Sequence, residues 1–315
     1  MIHPSIKTCV NDQGIIAASA MDQRGSLQNS LAKRGLKVTS EHLKEFKSLV
    51  SEVLSPESSA ILLDPLYGLE AAQTRAEGCG LILAYEKSGY DNSREGRLPD
   101  LLEGWSVRRL VETGAQGIKL LVYYNPFDEM TINQHKQAFV ERVGSECKAE
   151  GVGLWLEPLS YNDKLDDLAL AKAKPDYIKA IVQEFSKERY QVGILKIEFP
   201  ILIKHLEGMG GENLYSRQAA KAAFKALDEV SNKPYIFLSA GVDMPLFLAG
   251  LELAAEAGSQ YNGVLCGRAT WKDAIPIYAQ QGALAMRQWL ENQGLHNLRQ
   301  LNDMLKGAKA LHKDT

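Results

Sequence analysis

A (β/α)8 barrel, eight parallel strands each followed by a helix, is the fold this sequence predicts. Three observations carry that reading. Short apolar runs, the mark of strands buried on both faces, recur eight times and alternate with amphipathic stretches of helix length. The 315 residues show no shift of composition and no linker, so they read as a single domain, with the barrel over about 14–290 and a helical appendage over about 291–315. Polar residues fall at the C-terminal ends of the runs, the side on which such barrels carry their sites. A doubly wound open sheet is the competitor. It usually has fewer strands and a Gly-rich first turn, whereas the first turn here is Asp22-Gln23-Arg24-Gly25.

The first run, Gly14 to Met21, ends at Asp22. Leu43, Phe46, Leu49, Val50 and Val53 then lie at helical spacing, and Ser55-Pro56 closes that helix. The second strand is Ser59 to Leu63 and the third Gly80 to Tyr85, with a short connection around Leu69 to Arg75 between them. Lys87 to Leu98 is polar and reads as a long loop; Trp105 to Thr113 restores helical periodicity until Gly114 stops it. Gly117 to Tyr124 is the fourth strand. A helix through Phe139, Val143 and Cys147 leads to the fifth, Gly153 to Leu156, ending at Glu157-Pro158. Pro175 is placed to open the next helix, as proline does in a first turn. The sixth strand is the run Gly193 to Pro200. After Gly208-Met209-Gly210-Gly211, the helix Ser216 to Val230 leads to the seventh, Tyr235 to Leu238. A helix from Pro245 to Ala257, an eighth strand from Tyr261 to Cys266 and a last helix from Trp271 to about Ala310 follow.

Composition narrows the function. With 45% hydrophobic and 24% charged residues, a net charge of −3 and no long basic run, the chain does not read as a nucleic-acid binder. No apolar stretch approaches the roughly 18 residues of a membrane span. The start, Met1-Ile2-His3-Pro4, lacks the apolar core of a signal peptide. Four cysteines without CxxC spacing fit a reducing cytoplasm, and six histidines are scattered without an HxxxH pair. The expectation is a cytoplasmic protein that needs neither metal nor cofactor.

The sixth run carries the chemistry. Lys196 and Glu198 interrupt an apolar strand two residues apart, hence on one face. A buried ammonium is costly unless it is paired or neutral. One reading pairs Lys196 with a carboxylate across the sheet. The other makes it an amine nucleophile that forms a Schiff base with a ketone. Around it, Asp22, Glu86, Glu157, Ser239 and Arg268 follow five other strands, and Lys119 lies within the fourth. Lys119 close to Lys196 would favour a neutral amine there by like-charge repulsion. Glu157 or Glu86 would shuttle protons, and Asp22 would orient a hydroxyl or take its proton. Ser239-Ala240-Gly241 and Gly267-Arg268 end the seventh and eighth strands, where many barrels bind phosphate. These parts suit a small phosphorylated ketone.

The segments Ala20 to Gly25, Leu62 to Gly68, Leu83 to Asp91, Leu98 to Asp100, Trp105 to Val107, Ile118 to Tyr124, Tyr235 to Val242 and Asn262 to Trp271 resemble class I tagatose-1,6-bisphosphate aldolases. The resemblance runs from about Ile16 to Leu305. It implies a Schiff-base lysine at Lys196, a second lysine at Lys119 and a proton-transferring Glu157. It also places Asp22, Gln23 and Glu86 along the substrate, with Ser239, Gly241 and Arg268 at one phosphate. By their places at the strand ends, Gly267 and Arg24 are expected among the binding groups as well. The implied reaction splits a ketohexose 1,6-bisphosphate reversibly into dihydroxyacetone phosphate and glyceraldehyde 3-phosphate without metal. Ile201 to Gly211 and Asn125 to Asp128 depart from the family pattern at the expected barrel mouth. Three readings therefore stand open: an aldolase for tagatose 1,6-bisphosphate, one for fructose 1,6-bisphosphate or 6-deoxy-6-sulfofructose 1-phosphate, and a regulatory barrel. The expected partner is a small sugar phosphate, with neither nucleic acid nor membrane and a possible homo-oligomer.

Overall fold

The computed structural model describes residues 3–90 and 93–311. Met1 and Ile2 of the N-terminal reading, Asp91 of one quoted segment and the last residues of the expected appendage lie outside the described residues.

The apolar runs become eight parallel strands. They are β1 (Ile16–Ala20), β2 (Ala60–Leu63), β3 (Gly80–Ala84), β4 (Gly117–Tyr124), β5 (Gly153–Ser160), β6 (Val192–Ile197), β7 (Tyr235–Phe237) and β8 (Gly263–Cys266). They close in sequence order, β8 pairing with β1. The outer layer is α1 (Gly25–Ala32), α2 (Ser40–Leu54), α3 (Leu69–Gln73), α4 (Val107–Glu112), α5 (Met130–Ala149) and α6 (Asp167–Phe185). It continues with α7 (Arg217–Val230), α8 (Met244–Glu256), α9 (Arg268–Trp271), α10 (Ala274–Trp289) and α11 (Leu295–Met304). Among the described residues no helix is long and apolar enough to cross a membrane.

Period-two alternation divides each strand between two cores. Residues facing out, such as Leu81, Leu83, Leu154, Leu195 and Phe237, pack under the helices. Residues facing in form a second cluster: Ala18, Leu62, Ile82, Trp155, Ile194, Ile236 and Leu265. Trp155 fits because Gly117 opposite has no side chain; a Cβ there would lie 2.4 Å from the indole nitrogen. The same alternation puts Lys119 in register with Trp155, Glu157 two residues beyond Trp155, and Lys196 two beyond Ile194. The site is therefore a polar layer on an apolar plug.

The first and last of the described segments seal the other side. A 3-10 turn, Pro4–Cys9, lodges Ile6 under Gly153 and Gly193, where a Cβ would come within 2.7 and 2.6 Å of it. Leu311 N donates to the Gly14 carbonyl at 2.8 Å.

Four expectations are corrected. Pro175 lies inside α6, which starts eight residues earlier on an Asp166 cap whose carboxylate accepts from Ala169 N at 2.7 Å. Proline removes the hydrogen bond that the Ala171 carbonyl would have received, and the Tyr215 hydroxyl donates to that carbonyl instead. The fifth strand runs on to Ser160, so Glu157 sits within it. Beyond Leu156 it pairs with β4 alone, and Pro158 is tolerated on that free side. The sixth ends at Ile197, after which Phe199 turns into an aromatic cluster with Phe224, Phe237 and Phe247. The last helix is several pieces, broken at Gly282 (φ 82°) and by a π turn over Leu290–Gly294. The sequence reading also passed over α1.

Candidate active site

Two adjoining cavities, about 340 and 260 Å³, open at the C-terminal ends of the strands. Asp22, Arg24, Glu86 and Lys119 line the first, and Ser239, Gly241 and Gly267 the second. Gln23, Glu157, Lys196 and Arg268 line both. The structure thus brings together every residue that the sequence nominated.

Lys119 is the electrostatic centre. Its Nζ donates to Glu86 at 2.7 Å and to Asp22 at 2.8 Å, and forms an ion pair with Glu157 at 3.0 Å. Burial pulls its pKa down, but Asp22, Glu157 and Glu86 outweigh burial and hold it well above the ordinary lysine value. Lys119 is a fixed cation. Burial likewise opposes the charge on Asp22, yet Lys119 and then Lys196 hold that carboxyl well below the usual range. An acid so depressed is a weak base and a good hydrogen-bond acceptor.

Lys196 has a different environment. It is 5% exposed, and its Nζ donates to Glu157 Oε2 at 2.9 Å. That oxygen is the one Lys119 also reaches, so Glu157 stands between the two lysines. Lys196 is thus paired across the sheet, as the first reading expected, and it also lines both cavities. Glu198 lines the second cavity with it, but its carboxylate is taken by Lys174 at 2.5 Å and by Ser160 N and Oγ at 2.8 and 2.6 Å.

At one end of the site, Ala240 (φ 48°) and Gly241 (φ 78°) make a left-handed turn after β7. The Arg268 guanidinium packs flat on it, since a Cβ on Gly241 would lie 2.9 Å from Cζ. At the other end Arg24, 7% exposed, donates from Nη2 to the Glu86 carbonyl at 2.7 Å. Its Nε and Nη1 are buried with no protein acceptor. Two guanidinium groups thus flank the lysines.

Sequence reasoning missed Lys47. This α2 residue is fully buried, grips the Met21 and Gln23 carbonyls at 2.7 and 2.8 Å, and pairs with Asp64 at 2.7 Å. It fixes the turn that carries Asp22. The signal was present, a lysine among the apolar positions Leu43, Phe46 and Val50. Tyr123 and Leu159, at the upper ends of β4 and β5, were missed as cavity walls. Among the described residues no three His, Cys, Asp or Glu side chains form a metal-binding group.

Comparison with known proteins adds the following. The profile described as DeoC/LacD family aldolase matches residues 16–273. Tagatose 1,6-diphosphate aldolase 1 of Enterococcus faecalis is 49% identical over 304 residues, covering 96% of this chain and 93% of that one. Tagatose 1,6-diphosphate aldolase of Staphylococcus aureus is 46% identical over 307 residues, covering 96% and 94%. Among solved structures, fructose-bisphosphate aldolase from Plasmodium falciparum, in complex with TRAP and a small-molecule inhibitor, superposes with a TM-score of 0.72. It covers 97% of this chain and 94% of its own, and at 13% identity the likeness shows the barrel fold alone.

Proposed function

Because the chain belongs to the DeoC/LacD family of aldolases, we propose that it cleaves D-tagatose 1,6-bisphosphate reversibly. The products are dihydroxyacetone phosphate and D-glyceraldehyde 3-phosphate, and the route is a Schiff base on Lys196 without metal. The relatives carry the choice of substrate. The observation that carries the choice of nucleophile is the inequality of the two lysines. Lys119 is bound by three carboxylates and Lys196 by one. An amine that must leave three ion pairs is a poor nucleophile; one that passes its proton to a single adjacent carboxylate is a good one.

In this reading the Lys196 nitrogen adds to the ketone at C2. Glu157 carries protons as the carbinolamine forms and loses water. The cationic imine then draws the electrons of the C3–C4 bond as Glu157, a carboxylate again, takes the 4-hydroxyl proton, and glyceraldehyde 3-phosphate departs. The enamine left on Lys196 regains that proton at C3, and water hydrolyses the resulting imine to release dihydroxyacetone phosphate and the free lysine. Asp22 and Glu86 accept hydrogen bonds from substrate hydroxyls. Lys119 holds the region positive throughout. Arg268, with the turn at Ser239 to Gly241 and the Gly267 backbone, binds one phosphate; Arg24 offers its free donors to the other. The four free, buried cysteines favour a cytoplasmic setting.

The deciding assay compares tagatose 1,6-bisphosphate, fructose 1,6-bisphosphate and 6-deoxy-6-sulfofructose 1-phosphate side by side after exhaustive chelation. Full cleavage of the tagatose ester is expected. A stronger preference for either rival would reassign the substrate, and activity that returned only with added zinc would overturn the Schiff-base mechanism.

Arg268→Ala should raise KM for the bisphosphate about ten- to a hundred-fold, the worth of one charge-assisted contact. An unchanged KM in steady-state kinetics would place that phosphate elsewhere.

A further inference from the structure

We propose that Arg97 positions Tyr123 as a substrate-contacting wall of the reaction cavity, an inference that rests on the aldolase reading above. Arg97 lies on the long connection between β3 and α4, where Gly96 (φ 92°) and Arg97 (φ 48°) are both left-handed. A non-glycine residue rarely adopts that conformation unless its surroundings impose it. Here they do. Gly96 packs so closely on α5 that a Cβ would come within 2.5 Å of Ile132. The turn sends the Arg97 guanidinium inward, where it lies 4.7–5.2 Å from the centres of the Tyr90, Tyr123 and Tyr161 rings and 3.3 and 2.5 Å from the Asp163 carboxylate oxygens.

Each member is anchored to the next. The Tyr161 hydroxyl accepts from buried Lys136 at 2.9 Å and lies 2.7 Å from Asp128 Oδ2 and 2.9 Å from the Gly96 carbonyl. That fixes the ring on which Arg97 rests. Arg97 in turn covers Tyr123, which Tyr90 meets edge-on at 5.1 Å. Tyr123 is on the inner face of β4, two and four residues beyond Leu121 and Lys119, and lines both cavities. Burial keeps its phenol protonated above the ordinary tyrosine range, with Arg97 opposing, so it is an O–H donor on the wall of the two cavities that Glu157 and Lys196 also line. Arg97 does not reach the cavity itself and acts through the ring.

The test is steady-state cleavage by the wild type, Arg97→Ala, Arg97→Lys, Tyr123→Leu and the double variant Arg97→Ala/Tyr123→Leu, with unfolding midpoints measured in parallel. Arg97→Ala should lower kcat/KM about tenfold or more, mostly in kcat, because the phosphate-binding arginines are untouched. Arg97→Lys keeps the charge but not the plane that stacks on tyrosine, and should show a similar loss with less change in stability. Millimolar guanidinium should restore part of the activity of Arg97→Ala. In the Tyr123→Leu background, removing Arg97 should cost nothing more. Additive losses, or a fully active Arg97→Lys, would overturn the inference. An inactive wild type would overturn the aldolase reading and this inference with it, whereas an active wild type beside an unaffected Arg97→Ala would overturn this inference alone.

Discussion

Lys196→Met is expected to abolish cleavage and the trapped covalent adduct together. In the wild type, borohydride added with dihydroxyacetone phosphate should reduce the imine carbon–nitrogen double bond to a stable secondary amine. Peptide mass spectrometry should then find the added mass on Lys196. Methionine keeps the length and apolar stem of the side chain above Ile194 and Ile236. Glu157 is not stranded by the change, because Lys119 remains 3.0 Å from the same oxygen. A folded protein with turnover lowered on the order of 10⁴-fold or more is therefore the expected result, the scale on which a lost nucleophile acts. An adduct on Lys119 would reverse the roles of the two lysines. It would also mean that an ammonium held by Asp22, Glu86 and Glu157 had been released before reacting.

The barrel and most of its site were legible because both rest on local pattern. Strands buried on both faces appear as apolar runs, and a charged residue inside one, such as Lys119 or Lys196, stands out against its neighbours. What was not legible depends on contacts distant in sequence. Ile6 caps the barrel floor from a short turn with no periodicity, and only the close approach of Gly153 and Gly193 reveals its place. Pro175 looked like a helix start because the local rule allows it there; the Tyr215 hydroxyl that makes it tolerable lies 44 residues beyond the Ala171 carbonyl to which it donates. Arg97 reads as one more charge in a polar loop until three tyrosines from separate segments close around it. The fifth strand was ended too early by Pro158, since the sequence does not say which side of a strand lacks a partner.

Glu157→Gln should leave the fold intact and slow turnover by about 10²–10⁴-fold, the range for a lost acid–base group. Glutamine still accepts a hydrogen bond from Lys196 or Lys119, but it cannot take a proton from the attacking amine or return one to the departing hydroxyl. In the resting enzyme, burial raises the Glu157 pKa, while Lys119 and Lys196 lower it by more, so the carboxyl is held below its ordinary value. Part of that lowering belongs to Lys196 and disappears as its nitrogen gives up a proton and becomes an amine. Glu157 thus becomes a better base at the step that needs one. The same shift fixes the sign of its effect on stability. A depressed folded pKa stabilises the fold above the ordinary carboxylate range and ceases to do so as pH falls through the lowered value. Below about pH 4, near where a free glutamate titrates, the wild type should lose stability more steeply than Glu157→Gln in urea unfolding. The variant should keep part of the slope, because Asp22 is depressed by the same two lysines. Wild-type turnover in Glu157→Gln would move proton transfer to Glu86, the carboxylate on the far side of Lys119.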